Sequence, residues 1–186
     1  MTNASIYRDI AERTGGDIYI GVVGPVRTGK STFIKRFMET LVLPRIAGGP
    51  ARTRAVDELP QSAAGRTIMT TEPKFIPEQA VAIQPEEGVS LRARLVDCVG
   101  YLVPGAMGAQ EDDRPRMVKS PWFDAEVPFD VAAETGTQKV ICEHSTIGLV
   151  VPTDGSISDI PRESYEPAEE RVIRELESLS KPFVAH

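Results

Sequence analysis

Gly24-Pro25-Val26-Arg27-Thr28-Gly29-Lys30-Ser31 fits the phosphate-loop pattern G-x-x-x-x-G-K-S/T at every fixed position. In that pattern the glycines let the backbone curl until successive N–H groups face one anion. The lysine reaches the β/γ-phosphates, and the hydroxyl ligates Mg²⁺. Gly24, Pro25, Val26, Arg27, Thr28, Gly29, Lys30, Ser31 and Thr32 are therefore the candidate nucleotide-binding residues, with Lys30 catalytic and Ser31 on the metal. Two further groups could complete such a site. Asp97-Cys98-Val99-Gly100 places an acid where an extended run ends, so Asp97 can hold Mg²⁺ and the Gly100 N–H can meet a γ-phosphate. Thr70 and Thr71 close a long polar segment, and a hydroxyl arriving there can join the Mg²⁺ shell and report on the terminal phosphate.

The elements needed to position these groups follow in order. Ile18-Tyr19-Ile20-Gly21-Val22-Val23 reads as a buried strand entering the loop, and Phe33, Ile34, Phe37, Met38 and Leu41 mark a helix leaving it. The anion would then lie at the helix N-terminus, where unpaired N–H groups and the helix dipole favour negative charge. Pro44 ends the helical pattern, and residues 47–72 read as one long loop. Extended runs at 80–84 and 89–96 are joined by Pro85-Glu86-Glu87-Gly88, too short for a crossover, so they pair antiparallel. Residues 101–128 read as an irregular second switch loop anchored by Trp122. A helix capped by Asp130 follows, running through Val131, Ala132, Ala133, Val140 and Ile141 past Gly136. Ile147 to Val151 reads as a strand, and 167–179 as an amphipathic helix with Val172, Ile173, Leu176 and Leu179 inward and Glu170 supporting Arg174 outside. A short helix is expected at Ser5 to Thr14 and one more strand from Lys181. The fold expected is α/β, a P-loop NTPase with a mostly parallel sheet, one antiparallel hairpin strand and helices on both faces.

With 186 residues, 41% of them hydrophobic, the chain suits one domain, residues 1–186. The strand starting at Lys181 has little chain left to complete it, so the expectation is an N-terminal fragment of a longer protein. A net charge of −6 argues against a nucleic-acid partner and against non-specific binding to anionic membrane. Two cysteines are too few for a disulfide framework, so Cys98 and Cys142 are expected as buried thiols. His144 has no Cys or His at ligand spacing and reads as structural. No signal peptide or long apolar run is visible, which points to a cytoplasmic protein.

Together these features resemble the translation-factor-like branch of P-loop GTPases. A narrower resemblance rests on Asp17 to Lys35, Asp57 to Phe75 and Tyr165 to Ile173, which are similar to the N-terminal ATPase domain of the stage IV sporulation protein A family. That resemblance implies ATP and Mg²⁺ as cofactors, slow hydrolysis, and self-association into polymers forming the base layer of the spore coat. It implies a location on the mother-cell side of the forespore surface. Other spore-coat proteins and a small membrane-bound sporulation peptide would be met through regions outside this chain. It places Lys30 in the Walker A slot, Asp97 in the Walker B slot, and Thr70 with Thr71 in sensor-threonine slots. Tyr101 stands where many GTPases keep a water-positioning glutamine.

A different class remains open from the residues alone, a GTP-dependent regulatory switch of the translation-factor type. Its base-recognition element, N-K-x-D, would follow the strand that begins near Lys181, beyond His186.

Overall fold

The computed structural model describes residues 15–46, 48–60, 71–86, 88–106, 109–111, 114–156 and 159–185. The expected helix at Ser5 to Thr14 and the position of Thr70 lie outside the described residues.

Strand β1 (Asp17–Val23) leads into the phosphate loop, and α1 (Lys30–Phe37) leaves it. A π turn, Met38–Val42, and a 3-10 turn, Leu43–Arg45, prolong α1. Helix α2 (Pro50–Asp57) precedes the hairpin of β2 (Lys74–Glu86) and β3 (Val89–Asp97). Two short ribbons come next, β4 (Gln110–Glu111) with β5 (Arg114–Pro115) and β6 (Met117–Val118) with β7 (Val127–Pro128). Helix α3 (Phe129–Lys139), with a π turn at Val140–His144, then leads to β8 (Ile147–Val150). Helix α4 (Glu166–Ser178) and β9 (Phe183–Ala185) complete the described fold.

The main sheet has the order β2-β3-β1-β8-β9. β1 pairs parallel with β3 and β8, β8 pairs parallel with β9, and β2 alone runs antiparallel, on β3. Successive side chains on a strand point to opposite faces, and the core divides accordingly. Val22, Leu95 and Val151 join Ile34, Met38, Val42 and Ala55 on the α1–α2 face. Val23, Val96 and Val150 join Val140, Ile141, Val172 and Leu176 on the α3–α4 face. The expected α/β class, with helices on both faces of the sheet, is the one observed.

Several local expectations are corrected. Leu41 is exposed, because the buried row runs Ile34, Met38, Val42 and the wide π turn carries Val42 inward in its place. Leu179 is also exposed, since α4 stops at Ser178 and Leu179 leaves the helical phase. The segment expected as one loop contains α2. Pro50 opens that helix behind Gly49, but Ala55 is its only buried residue, so no apolar stripe announces it. β2 begins at Lys74 rather than Ala80, its alternation interrupted by a register shift between Ile76 and Val81 that spans Pro77. The expected irregular stretch holds the two ribbons. Pro128, not Asp130, stands at the N-cap of α3; Asp130 lies within the first turn and accepts the Val131 N–H at 2.9 Å. Cys98 is buried as expected, but Cys142 is exposed, because Val140 and Ile141 take the inward positions of that turn.

Candidate phosphate site

Parallel strands gather their C-terminal ends along one edge of a sheet, and the connections that follow them form the site there. Here the loop after β1 meets Asp97 at the end of β3. The Ser31 hydroxyl donates to Asp97 Oδ2 at 2.8 Å, joining two residues 66 positions apart. Asp97 Oδ1 is enclosed and has no hydrogen-bond partner among the described residues. Burial pushes the Asp97 carboxyl above the ordinary range, against the lowering effects of Lys30, Ser31, the Cys98 backbone N–H and Lys74. An enclosed carboxylate oxygen lacking a donor, beside a hydroxyl, fits a divalent cation. Mg²⁺ commonly takes one or two protein oxygens and completes its shell with water and phosphate. Among the described residues no group of three or more His, Cys, Asp or Glu could hold a metal. His144 instead meets the Phe75 ring edge-on at 5.5 Å between centroids.

Within the loop, the Pro25 carbonyl accepts from both the Lys30 ammonium and the Thr28 hydroxyl, the latter at 3.2 Å. Lys30 is buried. Desolvation lowers its pKa, while Cys98 and Asp97 act in the opposite sense. A buried cation whose principal bond is to a carbonyl of its own loop is well suited to a stronger anionic acceptor. No side chain caps α1, so its first N–H groups stay free for an anion. Arg27 has φ +59°, a left-handed conformation unusual outside glycine, and its enclosed Nε has no partner among the described residues. Ser31 and Thr32 are exposed at the start of the helix.

Gly100 closes the other side. Its φ is +96°, and a Cβ there would come within 2.3 Å of the Gly24 oxygen and 2.7 Å of Lys30 Nζ. Only glycine fits, and its α-carbon therefore lies directly against the loop and the lysine. The Gly100 N–H donates to Thr137 Oγ1 of α3 at 3.1 Å. Tyr101 bridges to Pro25, and its carbonyl accepts the Val26 N–H at 2.9 Å. Its hydroxyl donates to Glu175 on α4, while the Arg171 guanidinium lies 4.2 Å from its ring centroid. Arg171 also bonds Glu175 at 3.0 Å and pairs with Glu134 of α3. With its hydroxyl committed to α4, Tyr101 is a strut rather than a substitute for a water-positioning glutamine.

The structure thus brings together Gly24, Pro25, Lys30, Ser31, Asp97 and Gly100. Thr71 is buried and packs through its carbonyl on Gly136 of α3, beside Thr137. Trp122 rests on the same glycine, an anchor for the preceding segment. Sequence reasoning did not single out Thr137. Its only signal was a buried-face position on a helix whose central glycine looked like a defect.

A phosphate-loop signature between the first strand and first helix of a mixed α/β sheet, with an acid at the neighbouring strand end, is the arrangement of α/β nucleotide-binding domains. The family model described as stage IV sporulation protein A, ATPase domain, matches residues 1–186, and the chain belongs to that family. It is 62% identical over 184 residues to stage IV sporulation protein A of Bacillus anthracis and 61% identical over 184 residues to that of Bacillus subtilis (strain 168). The identity to the Clostridioides difficile (strain 630) protein is 58% over 181 residues. These matches cover 97–99% of this chain, which spans 37% of the length of each relative. The chain carries the ATPase domain that defines this sporulation-protein family, and among the described residues no helix is long and apolar enough to cross a membrane.

Proposed function

We propose that this domain binds ATP with Mg²⁺ at the loop Gly24 to Thr32, hydrolyses it slowly, and uses hydrolysis to drive self-assembly of the protein into the base layer of the spore coat. The observation that carries the nucleotide reading is the bond between Ser31 Oγ and Asp97 Oδ2, with Oδ1 enclosed and unpartnered. Ser31 and Asp97 would hold Mg²⁺, and Thr70 with Thr71 would complete the site from the segment before β2. Bound Mg²⁺·ATP supplies an electrophilic terminal phosphorus whose charge the metal helps to neutralise. Lys30, which here bonds the Pro25 carbonyl, would hold phosphate oxygens, and the amides of the loop and of the first turn of α1 would orient them. Family membership supports ATP as the nucleotide and a sporulation role. Polymerisation, a cytoplasmic location on the mother-cell side of the forespore surface, and contacts with other coat proteins and a small membrane-bound peptide complete the reading. Those contacts lie outside residues 1–186.

The test uses full-length protein and measures ATP and GTP affinity, phosphate release and sedimentable polymer side by side. ATP should bind and be hydrolysed; tighter binding of GTP would favour a regulatory switch instead. A protein carrying both Thr70→Ala and Thr71→Ala should retain ATP binding, yet release phosphate slowly and assemble poorly. If it matches the parent in both, the sensor role is lost; normal hydrolysis without polymer would place the threonines on the assembly surface.

A further inference from the structure

The Gly100 amide, which the Asp97-Cys98-Val99-Gly100 pattern offers to a terminal phosphate, already has a partner. Gly100 N–H donates to Thr137 Oγ1 at 3.1 Å, and the Thr137 hydroxyl donates in turn to the Ala133 carbonyl at 2.8 Å. Thr137 is fully buried, so water does not offer the amide an alternative acceptor there. The hydroxyl donates to the Ala133 carbonyl within α3, and both it and the Gly100 amide also lie against the Cys98 sulfur; the Thr137 oxygen keeps a lone pair for Gly100. One amide proton cannot serve both this oxygen and a phosphate oxygen at full strength. Gly100 itself cannot shift freely, being hemmed in by the Gly24 oxygen and Lys30 Nζ.

Thr137 also follows a tightly packed glycine of α3. A Cβ on the preceding residue, Gly136, would fall 2.6 Å from the Thr71 carbonyl oxygen and 3.2 Å from the Trp122 ring. The absent side chain lets the backbone before β2 and the anchor of the post-β3 segment lie against one helical turn. That turn connects to Gly100 through the Thr137 bond.

We infer that Thr137 is a positioning residue that competes with the terminal phosphate for the Gly100 amide, so that it sets the preference for nucleoside triphosphate over diphosphate and passes the outcome through Gly136 to Thr71 and Trp122. The inference rests on the nucleotide reading given above. A diphosphate offers Gly100 no terminal oxygen and leaves the Thr137 bond in place. A triphosphate must break it, and α3 loses one of its ties to the strand end of β3. Removing the competitor therefore tightens triphosphate binding selectively.

The experiment compares the full-length parent with Thr137→Val, which keeps the shape and deletes the hydroxyl, and Thr137→Ser, which restores it. Affinities are measured for a non-hydrolysable ATP analogue and for ADP with Mg²⁺, and folding is checked by circular dichroism. Thr137→Val should raise the analogue-to-ADP affinity ratio by about fivefold, the equivalent of one net hydrogen bond, while Thr137→Ser keeps the parent ratio. An unchanged or reduced ratio in folded Thr137→Val overturns the competition. Trp122 emission, taken as the difference between parent and Trp122→Phe, should change when the analogue replaces ADP on the parent. A flat signal there overturns the coupling even if Thr137→Val does not fold. A parent that binds neither nucleotide would instead remove the functional reading itself.

Discussion

The loop after β1 and the segment after β3 hold the two sides of one site, but by opposite means. The phosphate loop, alongside the distant Ser31–Asp97 and Val26–Tyr101 bonds, is braced largely by local contacts: Thr28 and Lys30 both reach the Pro25 carbonyl, and Phe33 N–H reaches Gly29 O at 2.9 Å. In the segment after β3 they are distant. Gly100 turns to Thr137 of α3 and Tyr101 to Glu175 of α4, across 37 and 74 residues. A local set of contacts can be specified by a short run of residue types. A distant set depends on where whole helices dock, and so under the proposed function it is the side that would report nucleotide state to the rest of the molecule.

The sharpest way to break this contrast is at Gly100, where both sides touch. Gly100→Ala must accommodate a Cβ in a left-handed conformation against backbone and lysine, and should lower unfolding free energy by about 2–4 kcal/mol. Urea unfolding that leaves the midpoint unchanged would mean that the two loops are not pressed together.

Lys30→Ala probes the local side alone. It should weaken ATP binding by roughly a hundredfold, as expected for the loss of charge-assisted bonds to phosphate, with little change in melting temperature. The buried ammonium is desolvated in the folded state, so its removal carries a compensating gain. Equal ATP affinity in isothermal titration would contradict the assignment.

Asp97→Asn separates binding from turnover, because the loop amides still hold phosphate when the metal is less well held. Phosphate release should fall about tenfold or more while ATP affinity changes less. The variant also carries a pH signature. The folded pKa of Asp97 is raised, chiefly by burial, so the folded state binds the proton more tightly than the unfolded state. Stability linked to this group is present below the unfolded pKa and declines as pH rises through the folded one. Asp97→Asn should therefore be more stable than the parent at neutral pH, with the advantage shrinking as pH falls into the ordinary carboxylate range.

The smallest effect is expected on the distant side. Tyr101→Phe removes the hydroxyl bond but leaves Glu175 paired with Arg171, and should cost about 1 kcal/mol of stability with little loss of hydrolysis. A large drop in phosphate release at unchanged stability would give Tyr101 a role in chemistry rather than in support.

The phosphate loop, its flanking strand and helix, the antiparallel hairpin and the acid at the end of β3 were legible in the residues because each depends on near neighbours. Glycine at a tight turn, apolar period and turn length act within a few positions. Helix α2 was not legible, since a helix burying little more than Ala55 has almost no apolar stripe, and the start of β2 was hidden by a bulge that breaks its alternation. The exposure of Leu41, Leu179 and Cys142 depended on where a π turn or a helix end set the phase. Only the tertiary structure decided that Thr137 meets Gly100, that Gly136 seats Thr71 and Trp122, and that Tyr101 faces α4. Those contacts exist because helices on one face dock on strands far away in the chain, and no local pattern of residue types encodes which two side chains a docked interface will bring together.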